Sequence, residues 1–351
     1  MNKAFINCIG TAVPPYDIHA AYRDFMAKAL DARQRAVFKR MADRAAIVQR
    51  YSVLPQDGMV EADEAREGFY RRGAYPGTAT RMNAYARHAP GLALQAVEAL
   101  GRPVKDATHL IVASCTGFIA PGLDQILAQK LGLRPDLQRL FVGFMGCCAA
   151  VPALRAAQAI VLADPAARVL VVNVELCTLH LQETTNLESA LSFLLFGDGA
   201  AAALVTAEPE GLRMGDFVSV AIPGTSDHIT WHIGDQGFLM YLSGQVPGAI
   251  LRTLRESPQA VLRGEAVQNI DLWAVHGGGR TVLDAVQAGL DLPAPALAPS
   301  REVLAAHGNM SSATVMFVLA AMMRSAAPGQ PGLAMAFGPG MVAETFRFAA
   351  A

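Results

Sequence analysis

The stretch Phe141-Val-Gly-Phe-Met-Gly-Cys-Cys-Ala-Ala-Val-Pro-Ala-Leu-Arg155 constrains the fold more than any other part of the chain. An apolar run ends in Gly146, two cysteines follow at once, and Leu154, Ala157, Ile160 and Val161 then recur at helical spacing. That order predicts a sharp strand-to-helix elbow with Cys147 at or just before the first helical turn. Backbone N–H groups there lack partners and the helix dipole favours negative charge, so the expectation is a thiol pushed toward thiolate. A lone buried cysteine is more often structural than reactive, so the elbow gains meaning only from residues elsewhere.

Length allows two fused α/β halves, since 351 residues exceed one simple domain. Hydrophobic residues make up 52% and charged residues 17%, which implies a large core and a comparatively apolar surface suited to an oligomer. The formal net charge of −1 and the lack of a long basic stripe argue against nucleic acid as a partner. Five cysteines (Cys8, Cys115, Cys147, Cys148 and Cys177) form no CxxC pair, so neither a disulfide framework nor a zinc site is indicated. Free thiols suit a reducing cytoplasm. The N-terminus reads as a short strand rather than a signal peptide, and no uninterrupted apolar run reaches the length of a membrane span. The chain is therefore expected to be soluble.

Strand and helix patterns alternate along the chain. Residues 17–50 read as helical, with Phe25, Met26 and Leu30 on one face, and 87–100 as another amphipathic helix. Strands are expected near 107–117, 140–145 and 168–175, the last ending in Glu175. After a Gly-punctuated turn and strand at 196–205, Thr206-Ala-Glu-Pro-Glu-Gly211 marks a boundary, giving halves 1–207 and 208–351. Strand patterns at 214–222, 272–275 and 333–337 and helix patterns at 246–254, 280–288 and 310–323 then repeat the theme. Such alternation implies parallel pairing with crossovers.

Two further residues can carry chemistry with the cysteine. His276 stands where Leu272-Trp-Ala-Val275 gives way to three glycines, the end of a strand at which open α/β sheets present functional groups. Asn309 lies in His307-Gly-Asn-Met-Ser-Ser-Ala313 and reads equally well as a helix N-cap. Each alone is a weak signal. Together they form a sensible set: a thiol can hold an acyl group taken from a thioester, while an imidazole and a carboxamide N–H stabilise an enolate or oxyanion. Histidine can also pair with an ionised cysteine. Lys39, Arg40 and Arg44 form the densest positive cluster, either a solvated helix face or a landing site for phosphates.

Gly-Cys147-Cys-Ala-Ala, Leu-Phe196-Gly-Asp-Gly-Ala, Val-His276-Gly-Gly-Gly, Gly-Asn309-Met-Ser-Ser-Ala and Phe337-Gly-Pro-Gly-Met-Val-Ala-Glu-Thr resemble the chalcone synthase-like type III polyketide synthases. The matches keep the family's order over nearly the whole chain. The resemblance implies a thiolase-like α/β fold, two similar halves packed as layered α-β-α-β-α, a homodimer, and no metal or organic prosthetic group. It further implies that Cys147 is the nucleophile, that His276 and Asn309 form the decarboxylation and oxyanion site, and that Phe196 is the gatekeeper between coenzyme A tunnel and cavity. Arg40 and Arg44 match basic positions near the coenzyme A phosphates, while a third such position is Val37 here. Ser311, Cys115, Thr116, Cys177 and His180 fall at cavity-lining positions, and Ala120 matches the loop that reaches into the partner's cavity.

Departures from the plant pattern bear on substrate. Cys148 follows the nucleophile and is expected to be a packing residue. Met240 replaces a second gatekeeper phenylalanine and Trp231 a cavity glycine, and Cys-Thr-Gly-Phe118 resembles bacterial members. The expected activity is iterative condensation of malonyl-CoA onto an acyl-CoA starter, leaning toward a fatty acyl starter and an alkylpyrone or alkylresorcinol. An all-malonyl aromatic product, a one-step initiating ketoacyl synthase, or an inactive acyl-CoA-binding homologue are the competing readings.

Overall fold

The computed structural model describes residues 2–56 and 68–351. Its N-terminal half contains strands β1 (Phe5–Ala12), β2 (Tyr16–Asp17), β3 (Tyr51–Ser52), β4 (His109–Ser114), β5 (Gln138–Gly143), β6 (Val169–Leu176) and β7 (Asp198–Thr206). Its helices are α1 (His19–Ala29), α2 (Ala32–Arg44), α3 (Thr78–Glu98), α4 (Leu123–Leu131), α5 (Ala150–Ala163) and α6 (Leu187–Phe193). The C-terminal half adds strands β8 (Leu212–Ala221), β9 (Ile229–Gly234), β10 (Gly237–Leu242), β11 (Leu272–Val275), β12 (Pro331–Gly338) and β13 (Val342–Ala350). Its helices are α7 (Val246–Glu256), α8 (Gln259–Leu262), α9 (Arg280–Gly289), α10 (Ala298–His307) and α11 (Ala313–Met323).

Among the described residues, nine strands form one sheet in the order β11-β12-β13-β8-β1-β7-β6-β4-β5. The duplication that residue patterns only suggested is visible in this order. In each half the first strand pairs antiparallel with the last, the last pairs antiparallel with the one before it, and that one pairs parallel with an earlier strand. The sheet is therefore mixed, correcting the all-parallel expectation. Its physical cause is plain between β12 and β13, which the three-residue turn Pro339–Met341 joins: so short a link permits only antiparallel neighbours.

One face of both halves packs on α5 and α11. Val169, Val171, Ala201 and Ala203 meet Leu154, Ala157, Val315 and Leu319 in one cluster with Ala274 and Ala334 of the other half. The opposite face carries the outer helices, α3 over Leu170 and Ala202, and α7 and α9 over Trp273 and Met335. The five layers thus share a central helical layer, and the alanines of β7 let helices lie close on both sides. Residues Gly146–Ala163 are long and apolar enough to cross a membrane by composition. Arg155 and Gln158 interrupt that stretch, and it serves as this central core helix.

Three local expectations need correction. Residues 17–50 are two helices, because Asp31 restarts the chain with a capping box: its side chain accepts from Gln34 N at 2.8 Å while Gln34 accepts from Asp31 N. The helix expected at 87–100 begins at Thr78 and accommodates Pro90. The helix expected from 310 begins at Ala313, because Ser311 adopts φ +48° in a turn that closes on the site.

Candidate active site

Gly146 makes the elbow possible. Its φ is +65°, and a Cβ there would lie 2.4 Å from Pro339 Cδ, so only glycine fits. Gly146–Cys148 form a single 3₁₀ turn ahead of α5, and this turn presents the buried Cys147 to an internal cavity. Cys148 points the other way. Its thiol donates to Met145 O at 3.2 Å and packs against Gly338, where a Cβ would meet its sulfur at 2.3 Å.

The strand pattern at 272–275 brings His276 to the end of β11, where its backbone N–H donates to Met335 O at 2.8 Å. The imidazole is buried, and neither ring nitrogen has a hydrogen-bond partner among the described residues. Asn309 is tied to the same glycine turn: its Nδ2 donates to Gly278 O at 3.2 Å, while its Oδ1 accepts from Ser311 N at 2.8 Å. It is not a helix N-cap. The Cys147 thiol stands 4.0 Å from Asn309 Oδ1.

Cys115, Thr116, Cys147, Cys177, Phe196, Trp231, Met240 and Ser311 line one cavity. Phe196 packs on Cys147 and Cys177, with Met240 against the same cluster. Trp231 donates from its indole to Cys115 O at 2.8 Å. His180 stands behind the wall rather than on it. It donates from Nε2 to Thr116 O at 2.7 Å, accepts at Nδ1 from Phe238 N, and stacks on the Phe238 ring. Burial pushes His180 down to about 3, so it is a neutral scaffold.

Cavity volume here is about 20 Å³, room for roughly one water. A second, open cavity of about 670 Å³ lies beyond it, lined by Leu195, Leu242, Gly278 and Gly279 and by Gln34 and Met41 of α2. Phe196 lines the small cavity and its neighbour Leu195 the large one, so this segment runs between the two. Arg40 and Arg44 are exposed on α2 and line neither cavity. Ala120 is exposed in the loop that carries the cis Ala120–Pro121 bond.

Burial dominates the electrostatics. It pushes the Cys147 thiol up to about 11, against the opposing contacts of Ser311 and Asn309, and pushes His276 down to about 4. Burial thus works against the expected thiolate–imidazolium pair, in opposition to the helix start, which favours the anion. Sequence reasoning also missed Glu175. This fully buried carboxylate accepts from Cys115 N at 3.0 Å, Thr116 Oγ1 at 2.9 Å and Ser312 Oγ at 2.5 Å, with the Cys115 thiol at 3.4 Å. Burial lifts it to about 7 despite those donors. Its signal was available, as a charged residue ending a β-branched buried strand.

A family model described as the N-terminal domain of chalcone and stilbene synthases matches residues 1–209, and the corresponding C-terminal domain matches residues 216–350. The chain belongs to the chalcone and stilbene synthase family. This type III polyketide synthase is 34% identical over 337 residues to "Alpha-pyrone synthesis polyketide synthase-like Pks18" of Mycobacterium tuberculosis, covering 91% of this chain and 84% of that protein. It is also similar to PKS-I of the brown alga Ectocarpus siliculosus, with TM-score 0.88 and 29% identity over 100% of this chain and 99% of that one. The type III domain of Steely1 from Dictyostelium superposes with TM-score 0.89 and 26% identity, covering 99% of each chain. The polyketide synthase is thus an acyltransferase-type condensing enzyme that works on coenzyme A thioesters and needs no cofactor. Acyl-CoA and malonyl-CoA are its substrates, as for the type III polyketide synthases it belongs with.

Proposed function

We propose that Cys147 carries the acyl chain and that His276 and Asn309 hold the enolate, in an iterative synthase making an alkylpyrone or alkylresorcinol. The Cys147 sulfur attacks the starter thioester, coenzyme A leaves as the thiol, and the proton released from Cys147 passes through the neutral His276 to that leaving sulfur. Malonyl-CoA then loses CO₂. Its enolate oxygen accepts from the imidazole N–H and from Asn309, whose orientation the Gly278 and Ser311 contacts set. The enolate carbon attacks the acyl carbonyl, the Cys147 sulfur departs, and the extended chain returns for further rounds before cyclisation. The placement of Cys147 and Asn309 behind Phe196, at the end of an open cavity, carries this reading.

Met240, Cys115, Cys177 and Trp231 give the inner wall an apolar character that suits an alkyl starter, and a relative named for α-pyrone synthesis supports a lactone product. The closed volume of the inner cavity favours a second reading, an all-malonyl aromatic product of tetrahydroxynaphthalene or phloroglucinol type. Mass spectrometry of products made from malonyl-CoA, alone and with acetyl- to palmitoyl-CoA, decides between them. Pyrones or resorcinols that carry the supplied chain support the alkyl reading; the same aromatic product in every reaction supports the second.

The halves are read as 1–207 and 208–351. Arg40 and Arg44 are proposed to meet the coenzyme A phosphates from the rim rather than inside the open cavity. We also infer a cytoplasmic homodimer. Free cysteines support the compartment. Phe118 and Leu140, 41% and 45% exposed beside the outermost strand β5 and the Ala120 loop, support an interface there. Light scattering at twice 37.1 kDa is the expected result, and a monomer would remove Ala120 from any partner's cavity.

A further inference from the structure

Arg50 is 1% exposed, yet its guanidinium bonds go to carbonyls and an imidazole rather than to a carboxylate. Nη1 donates to Phe193 O at 3.0 Å and to Phe196 O, Nε donates to His19 Nδ1 at 3.1 Å, and the guanidinium carbon lies 4.9 Å over the Tyr22 ring. Nη2 has no hydrogen-bond partner among the described residues. Burying a cation this way carries a large desolvation cost. Part of it is offset because Phe193 ends α6, where helix carbonyls and the dipole favour positive charge. Both carbonyl acceptors fall on one short segment, Phe193–Phe196, while His19 and Tyr22 hold the guanidinium from α1.

That segment is joined to the catalytic turn. Phe196 and Asn309 form a parallel β-bridge, with Asn309 N donating to Leu195 O at 2.7 Å and Gly197 N to Asn309 O at 3.0 Å. The stem of Arg50 also fills the space beside Gly308: a Cβ there would lie 2.9 Å from Arg50 Cγ, and Gly308 adopts φ +68°. One buried side chain therefore grips the carbonyl of Phe196 and abuts the residue before Asn309. We propose that Arg50 is a positioning residue for the condensation, holding the Phe196–Asn309 seam so that the ring closes over Cys147 while the Asn309 carboxamide stays aligned for the enolate. This rests on the roles proposed above for Cys147 and Asn309.

Arg50→Met removes the charge and every donor, whereas Arg50→Lys keeps the charge but cannot span both carbonyls and His19 with one planar fork. Each variant is compared with the wild-type enzyme by thermal unfolding, by the mass of the acyl-enzyme formed from an acyl-CoA, by CO₂ release from malonyl-CoA and by starter preference. These readouts are taken at a temperature where the protein is folded. In Arg50→Met, acyl loading is expected to stay within about twofold of wild type while CO₂ release and condensation fall about tenfold or more, as for a misaligned site, with Arg50→Lys between. If Arg50→Met does not fold, Arg50→Lys carries the comparison on the same criteria. A lowered melting temperature with unchanged loading, CO₂ release and starter preference per folded molecule would overturn the proposal and make Arg50 purely structural. Absence of condensation in the wild-type enzyme would instead overturn the functional reading itself, so the two failures are separable.

Discussion

The thiol of Cys147 stands 4.0 Å from the carboxamide oxygen of Asn309, although 162 residues separate them in the chain. Cys147 reaches this point because Gly146 turns the chain at φ +65°, and Asn309 because Gly308 turns it at φ +68°. Two positive-φ glycines, one in each half, thus bring the Cys147 thiol and the Asn309 carboxamide together. Asn309 is held there by Gly278 and Ser311, so its proposed role can be tested apart from acyl loading on Cys147.

Asn309→Ala tests that separation. Losing one preorganised donor should slow malonyl-CoA decarboxylation by about a hundredfold. Acyl loading should change far less. Equal loss of both, measured by CO₂ release and acyl-enzyme mass, would undermine the enolate role.

Trp231→Gly should open the inner cavity, since an indole buries on the order of 150–250 Å² and this one sits on the wall beside Cys115. The kcat/KM ratio of long to short starters should rise by about tenfold or more. An unchanged ratio would remove Trp231 from the specificity wall.

Glu175 predicts a pH-dependent stability difference. Its folded value is raised from the ordinary 4.5 to about 7 by burial. Its contribution is therefore fully present below about pH 4.5 and lost as pH rises to about 7, because the unfolded chain releases its proton first. The wild-type advantage over Glu175→Gln in denaturant melts should shrink by on the order of 3 kcal/mol across that window. A difference that stays flat with pH would show that Glu175 is not held protonated.

The candidate residues Cys147, His276 and Asn309 were legible in the sequence because each stands at a glycine-marked turn. What surrounds them was not. Arg50 sits in a segment that reads as ordinary helix, and only tertiary contacts make it a buried cation, while Glu175 showed no more than a charge closing a buried strand. The helix start at Cys147 signalled a pull toward thiolate, whereas burial acts the other way, and local sequence carries no measure of that desolvation. Likewise, alternating strands and helices implied parallel pairing, whereas the three-residue Pro339–Met341 link forced β12 and β13 antiparallel.

Peptide mapping of the acyl-enzyme tests the central claim most directly. Wild-type protein and the Cys147→Ala and Cys148→Ala variants are incubated with an acyl-CoA, digested and weighed, then chased with malonyl-CoA. The acyl mass should sit on Cys147 alone, persist in Cys148→Ala, vanish in Cys147→Ala, and leave during the chase as a product longer by ketide units. Acyl mass on Cys148, or an acyl-enzyme that malonyl-CoA does not discharge, would contradict the account.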